Sequence, residues 1–118
     1  MMKKKKVAVI TMARNDEFFL EKWTAYYGKE FGQENLYIVL DGLDQDAPKN
    51  AKNVNVIKLP HHEMPRAAGD KYRIGKLSDL AAELLKNYDL IIGGDSDEFL
   101  VVDPKTGKTL AQYLSELD

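Results

Sequence analysis

A chain of 118 residues makes one domain, long enough to bury a core without covalent staples, and the absence of cysteine excludes a disulfide framework and a thiolate metal site. A formal net charge of −2, with 31% charged and 44% hydrophobic residues, is an ordinary globular balance with no electrostatic case for nucleic-acid binding, so the expected partner is a small ligand. No apolar stretch reaches the length of a membrane span, and a cysteine-free chain suits a reducing, cytoplasmic setting.

Lys3 to Lys6 precede an apolar run, as at the start of a signal peptide. The run breaks at Arg14-Asn15-Asp16-Glu17 with no small-residue cleavage site, so Val7 to Thr11 reads as a buried strand behind a solvated basic end. Four lysines stand at the low end of what attracts anionic headgroups, which leaves membrane-surface contact open without indicating it. Phe19, Leu20, Trp23, Tyr26, Tyr27 and Phe31 then recur at helical spacing, with Asp16 or Asn15 as cap and Gly28 or Gly32 as stop. Leu36 to Leu40 is a second β-branched apolar strand, and Asp41 to Lys52 a long polar connection.

Val54 to Leu59 alternates as an edge strand does and ends at Pro60, and a second polar connection runs to Gly69. Ile74, Leu77, Leu80, Ala81, Leu84, Leu85 and Tyr88 predict another amphipathic helix, weakened in its first turn by Gly75. Leu90-Ile91-Ile92 is the fourth strand, Phe99 to Val102 a fifth, and Asp103 to Gly107 a turn. Thr109 caps a last helix carrying Leu110, Tyr113, Leu114 and Leu117.

Strands alternating with helices give an α/β fold of three αβα layers around a mostly parallel sheet, which places ligands outside the carboxyl ends of the strands. The polar residues fall at those ends: Thr11, Asp41, and the cluster Asp95-Ser96-Asp97-Glu98. Three carboxylates in four residues repel one another unless a cation or donors offset the charge, and all-oxygen ligation suits Mg²⁺ or Mn²⁺. Asp95 and Asp97, the candidate metal ligands, flank one residue, so in extended chain they point to the same side and can converge on one ion or on one ligand around it; the plainer reading is a polar turn after the strand. His61-His62-Glu63 invites a metal assignment as well. In a strand order 3-2-1-4, however, it lies ~14 Å from the fourth strand and reads as a surface loop.

Three segments taken in order, Thr11-Met12-Ala13-Arg14-Asn15-Asp16-Glu17 with Leu20 to Trp23, Leu40 to Asp46, and Asp95-Ser96-Asp97-Glu98-Phe99, resemble the family-2-like glycosyltransferases of GT-A fold in the branch whose metal motif reads D-x-D-E-F. That resemblance implies a Rossmann-like nucleotide-diphospho-sugar transferase fold, a nucleoside-diphosphate sugar as partner with UDP favoured, and Mn²⁺ or Mg²⁺ as cofactor. It implies that Thr11, Ala13, Arg14 and Asn15 line the nucleotide pocket, that Asp41 accepts a hydrogen bond from the base, and that Asp95 contacts the ribose or a metal-bound water. Asp97 binds the ion that bridges the diphosphate, and Lys71 and Arg73, chosen among Arg66, Lys71, Arg73 and Lys76, reach the diphosphate. Enzymes of this family continue well past the metal motif, so the chain corresponds to their donor-binding half. The catalytic base is unassigned, with Glu98 the one nearby candidate. Two other classes stand beside this reading: a non-catalytic nucleotide-binding or structural relative, and a Mg²⁺-dependent phosphatase of haloacid-dehalogenase type. The second fits poorly, because its D-x-D opens the domain on the first strand, and a receiver-like module fits poorly in its strand order.

Overall fold

The structure, a computed structural model, describes residues 5–116. Its elements are β1 (Val7–Ala13), α1 (Glu17–Phe31), β2 (Leu36–Asp41), β3 (Asn55–Leu59), α2 (Arg66–Leu84), β4 (Leu90–Gly93) and α3 (Leu110–Ser115). The four strands form one parallel sheet in the order β3-β2-β1-β4. α1 makes the crossover between the paired strands β1 and β2, residues 42–54 connect the paired β2 and β3 without a helix, and α2 carries the chain from β3 to β4 on the far side of β1.

β1 is central and wholly buried, and its alternation sorts the two faces. Val9 and Ala13 join Leu36, Ile38 and Leu40 beneath Leu20, Trp23 and Tyr27 of α1 and Leu110 and Leu114 of α3. Ala8 and Ile10 face the other way, against Leu84 and the flanking Leu77, Leu80 and Ala81 of α2. The result is the expected αβα layering, with α1 and α3 on one face and α2 on the other. Among the described residues no helix is long and apolar enough to cross a membrane.

The last helix matches its sequence signal: Thr109 and Gln112 form a reciprocal capping box at the start of α3. Leu117 and Lys3 to Lys4 lie outside the described residues. Two expectations are corrected. α2 begins at Arg66, so the connection after β3 is only Pro60 to Pro65. Apolar periodicity marks only the part of a helix that packs, and residues 66–76 of α2 are largely exposed, overhanging the carboxyl edge of the sheet. Pro65 and the alanines, arginines and lysines of this stretch favour the helix in spite of Gly69 and Gly75, with no apolar stripe to announce it.

The second correction is the fifth strand. Phe99 to Val102 pairs with no strand among the described residues. Two tyrosines of α1 take the place of a ladder: the Leu100 N–H donates to Tyr27 Oη at 2.9 Å and Tyr26 Oη donates to the Leu100 carbonyl at 2.6 Å. Phe99 packs between the same rings, stacked on Tyr27 and edge-on to Tyr26. Burial, followed by the charges of Tyr27 and Glu30, pushes the Tyr26 hydroxyl above its ordinary pKa, which keeps its donor proton in place.

Candidate functional site

The carboxyl ends of β1, β2 and β4 are bonded to one another by side chains, which fixes the edge where a ligand would lie. β1 is tied to β4 by Thr11, fully buried, whose Oγ1 donates to the Gly94 carbonyl at 2.8 Å. β1 is tied to β2 by Arg14, whose Nη1 donates to the Asp41 carbonyl at 2.7 Å and stands 3.7 Å from Asp44. Asn15 holds a left-handed backbone (φ 56°), which asparagine tolerates, and its N–H donates to Gln45 Oε1 at 2.8 Å. Ala13 is buried in the core beneath α1. Of the residues placed in a nucleotide pocket by resemblance, Thr11 and Ala13 therefore have interior side chains, while Arg14 and the Asn15 backbone are engaged by the loop after β2.

The acidic cluster is built by a turn. The Glu98 N–H donates to the Asp95 carbonyl at 3.1 Å, closing residues 95–98 into a tight turn, the plainer of the two local conformations read from the sequence, and not extended chain. Extension puts alternate residues on one side and would exclude Glu98, whereas the turn gathers all three carboxylates. Asp95, Asp97 and Glu98 are exposed and each offers an oxygen within 4.8 Å of the other two. Ser96 turns inward: it is buried, and its Oγ donates to Asp16 Oδ2 at 2.9 Å. Asp16 stands at the N-cap position of α1 but makes no side-chain cap there, its carboxylate being spent on the acidic turn. The Glu98 carboxyl is pushed above the ordinary glutamate range, first by the charge of Asp95 and a hydrogen bond shared with it, then by partial desolvation and Asp97. Three hard oxygen donors gathered in one turn could hold a divalent ion, and all-oxygen ligation suits Mg²⁺ or Mn²⁺. Beside the turn an apolar cleft of about 460 Å³ runs along β4, lined by Trp23, Tyr27, Ile92 and Phe99 and opening on Asp95 and Glu98.

On the other side of β1, Asp41 ends β2 with its side chain 15% exposed. It borders a second cleft, of about 370 Å³, closed by the loop after β3 and by the face of α2 that carries Arg66, Asp70 and Arg73 at helical spacing. Lys71 is exposed on another face and does not line this cleft; Lys76 lies over the Tyr72 ring, 5.4 Å from its centroid. His61, read from sequence as part of a surface loop, sets its Nδ1 3.1 Å from Asp41 Oδ1. The register places it there: Asp41 pairs with Leu59, so a residue just past β3 stands beside the end of β2. Comparison with known protein families, curated proteins and solved structures gives no match to this chain.

Proposed function

We propose that this chain is the donor-binding part of a glycosyltransferase, holding a nucleoside-diphosphate sugar, with uridine the favoured nucleoside, across the carboxyl edge of its sheet. The observation that carries the reading is the pair of unlike sites flanking β1: a carboxylate-and-cation cleft at Asp41 and a three-carboxylate turn at Asp95, Asp97 and Glu98. β2 and β4 are both neighbours of β1, so their ends stand ~10 Å apart, a span suited to a nucleoside at one end and a diphosphate at the other.

Each end matches one part of such a ligand. Uracil offers an imide N–H between two carbonyls; Asp41 supplies an acceptor for the first, and Arg66 and Arg73 of the same cleft supply donors for carbonyls or phosphate oxygens. Asp95 and Asp97, with Glu98, would hold a divalent ion, which when bound offsets the charge on a leaving diphosphate. Ser96 and Asp16 hold the turn that presents these carboxylates. Glu98 belongs to the same cluster, and a carboxylate shared with an ion is not free to deprotonate an acceptor hydroxyl, so the chain by itself is a binder before it is a catalyst.

Calorimetry tests the reading directly. UDP is expected to bind with Mn²⁺ or Mg²⁺ and to lose most of its affinity in chelator, and Asp97→Asn is expected to abolish most of that metal dependence. Equal affinity in chelator and in manganese would overturn the proposal.

A further inference from the structure

His61 lies outside the acidic turn and outside every segment that carries the glycosyltransferase resemblance, yet it is the partner that the structure gives to the Asp41 carboxylate. Both residues are anchored from behind. The Gly42 N–H donates to the carbonyls of Leu40 (3.1 Å) and Leu59 (2.7 Å), binding the end of β2 to the end of β3, and Arg14 holds the Asp41 carbonyl. His61 follows Leu59 by two residues, so this clamp sets the distance between the imidazole and the carboxylate. Nδ1 engages Oδ1, while Oδ2 has no hydrogen-bond partner among the described residues and belongs to a side chain that lines the cleft.

We propose that His61 is a positioning residue for base selection: by occupying one oxygen of Asp41 it aims the other at the ring N–H of a uracil-type base, an assignment that rests on the uridine-nucleotide reading of the site. Adenine presents a lone pair at the corresponding ring nitrogen and gains nothing from an acceptor there. A carboxylate held in one orientation discriminates between the two; one free to rotate, or to turn its oxygens to water, discriminates less. His62 makes no such contact: its ring is edge-on to Tyr72 in the wall of the same cleft. The selection is therefore assigned to one of the two adjacent histidines.

The measurement is the ratio of UDP to ADP affinity, by calorimetry in manganese, for the wild-type chain, His61→Ala and His61→Asn, with melting temperature as a check on folding. A preference for UDP in the wild type, reduced about tenfold in His61→Ala and restored in large part by His61→Asn, whose amide N–H can replace the imidazole donor, is the expected result. A merely structural histidine would lower the melting temperature, or both affinities by one factor, and leave the ratio unchanged; that outcome overturns the assignment, as does an asparagine variant no more selective than alanine. Should His61→Ala fail to fold, the asparagine variant compared with His61→Leu gives the same decision. Wild-type chain that binds UDP and ADP alike in a metal-dependent way removes base selection while leaving the metal site standing. Wild-type chain that binds neither removes the functional reading itself.

Discussion

Gly42 and Glu98 show how single residues set the two ends of the site. Gly42 holds φ 137°, a region closed to other residues, and a Cβ there would stand 2.5 Å from Arg14 Nη1 and 2.5 Å from Asp44 Oδ1. Arg14 cannot yield without leaving the Asp41 carbonyl. Gly42→Ala is therefore expected to lower stability by about 2 kcal/mol and to weaken UDP binding together with it, read by urea denaturation and calorimetry. Glu98 gives a pH dependence. A carboxyl whose folded pKa is raised binds its proton more tightly in the folded than in the unfolded state, so its contribution to stability is complete below the ordinary glutamate pKa and is lost as pH rises through the raised value. Metal-free wild type should lose stability across that acidic window, and Glu98→Gln should flatten the slope. Parallel melting-temperature curves for the two proteins between pH 4 and neutrality would contradict this.

At the scale of elements, α1 does two jobs. Its apolar face covers β1 and β2, and its tyrosines hold the segment after the acidic turn by main-chain hydrogen bonds. Tyr27 is buried and its hydroxyl receives the Leu100 N–H, so Tyr27→Phe keeps the ring packing but leaves that donor without a partner. The expected cost is about 1–2 kcal/mol, with faster proteolysis between Phe99 and Val102, a stretch that has no ladder to fall back on. Cleavage rates equal to wild type would mean that the stacking of Phe99 on Tyr27 suffices. α2 divides its length differently: the half near Leu84 packs on the sheet, while the half near Arg66 leaves it and walls the Asp41 cleft. A helix committed to the core along its whole length would leave that side of the edge open.

For the whole molecule, measuring 49 × 27 × 25 Å along its principal axes, the candidate site lies at the carboxyl edge of the sheet, with one cleft at Asp41 and another beside the acidic turn. Metal and UDP together should stabilise the folded state, by about 2.7 kcal/mol at a hundredfold excess over the dissociation constant, a melting shift on the order of 10 °C. Transfer is a separate requirement. An acceptor must be oriented and its hydroxyl deprotonated, and these contribute many kcal/mol of a typical barrier reduction. The 118-residue chain is expected to release UDP from UDP-sugars no faster with an added acceptor than without one. Acceptor-dependent turnover on the order of 1 per second would show a complete site.

The alternation of β-branched runs with amphipathic stretches was enough to determine the α/β class, the two-faced sheet and the polar strand ends, because each is a pattern among near neighbours in sequence. Asp41 and the acidic cluster were legible for the same reason: a charge at the end of an apolar strand is a local event. Only the tertiary structure decided how the carboxylates converge, since the turn from Asp95 to Glu98 is held by Ser96 reaching Asp16, 80 residues away. It also decided that Phe99 to Val102, strand-like in composition, finds tyrosine hydroxyls and no strand beside it, and that α2 extends beyond its apolar stripe. His61 meets Asp41 because β3 lies against β2 in one register. Strand neighbours and register are set by crossovers and by the packing of both faces at once, and no window of local sequence contains them.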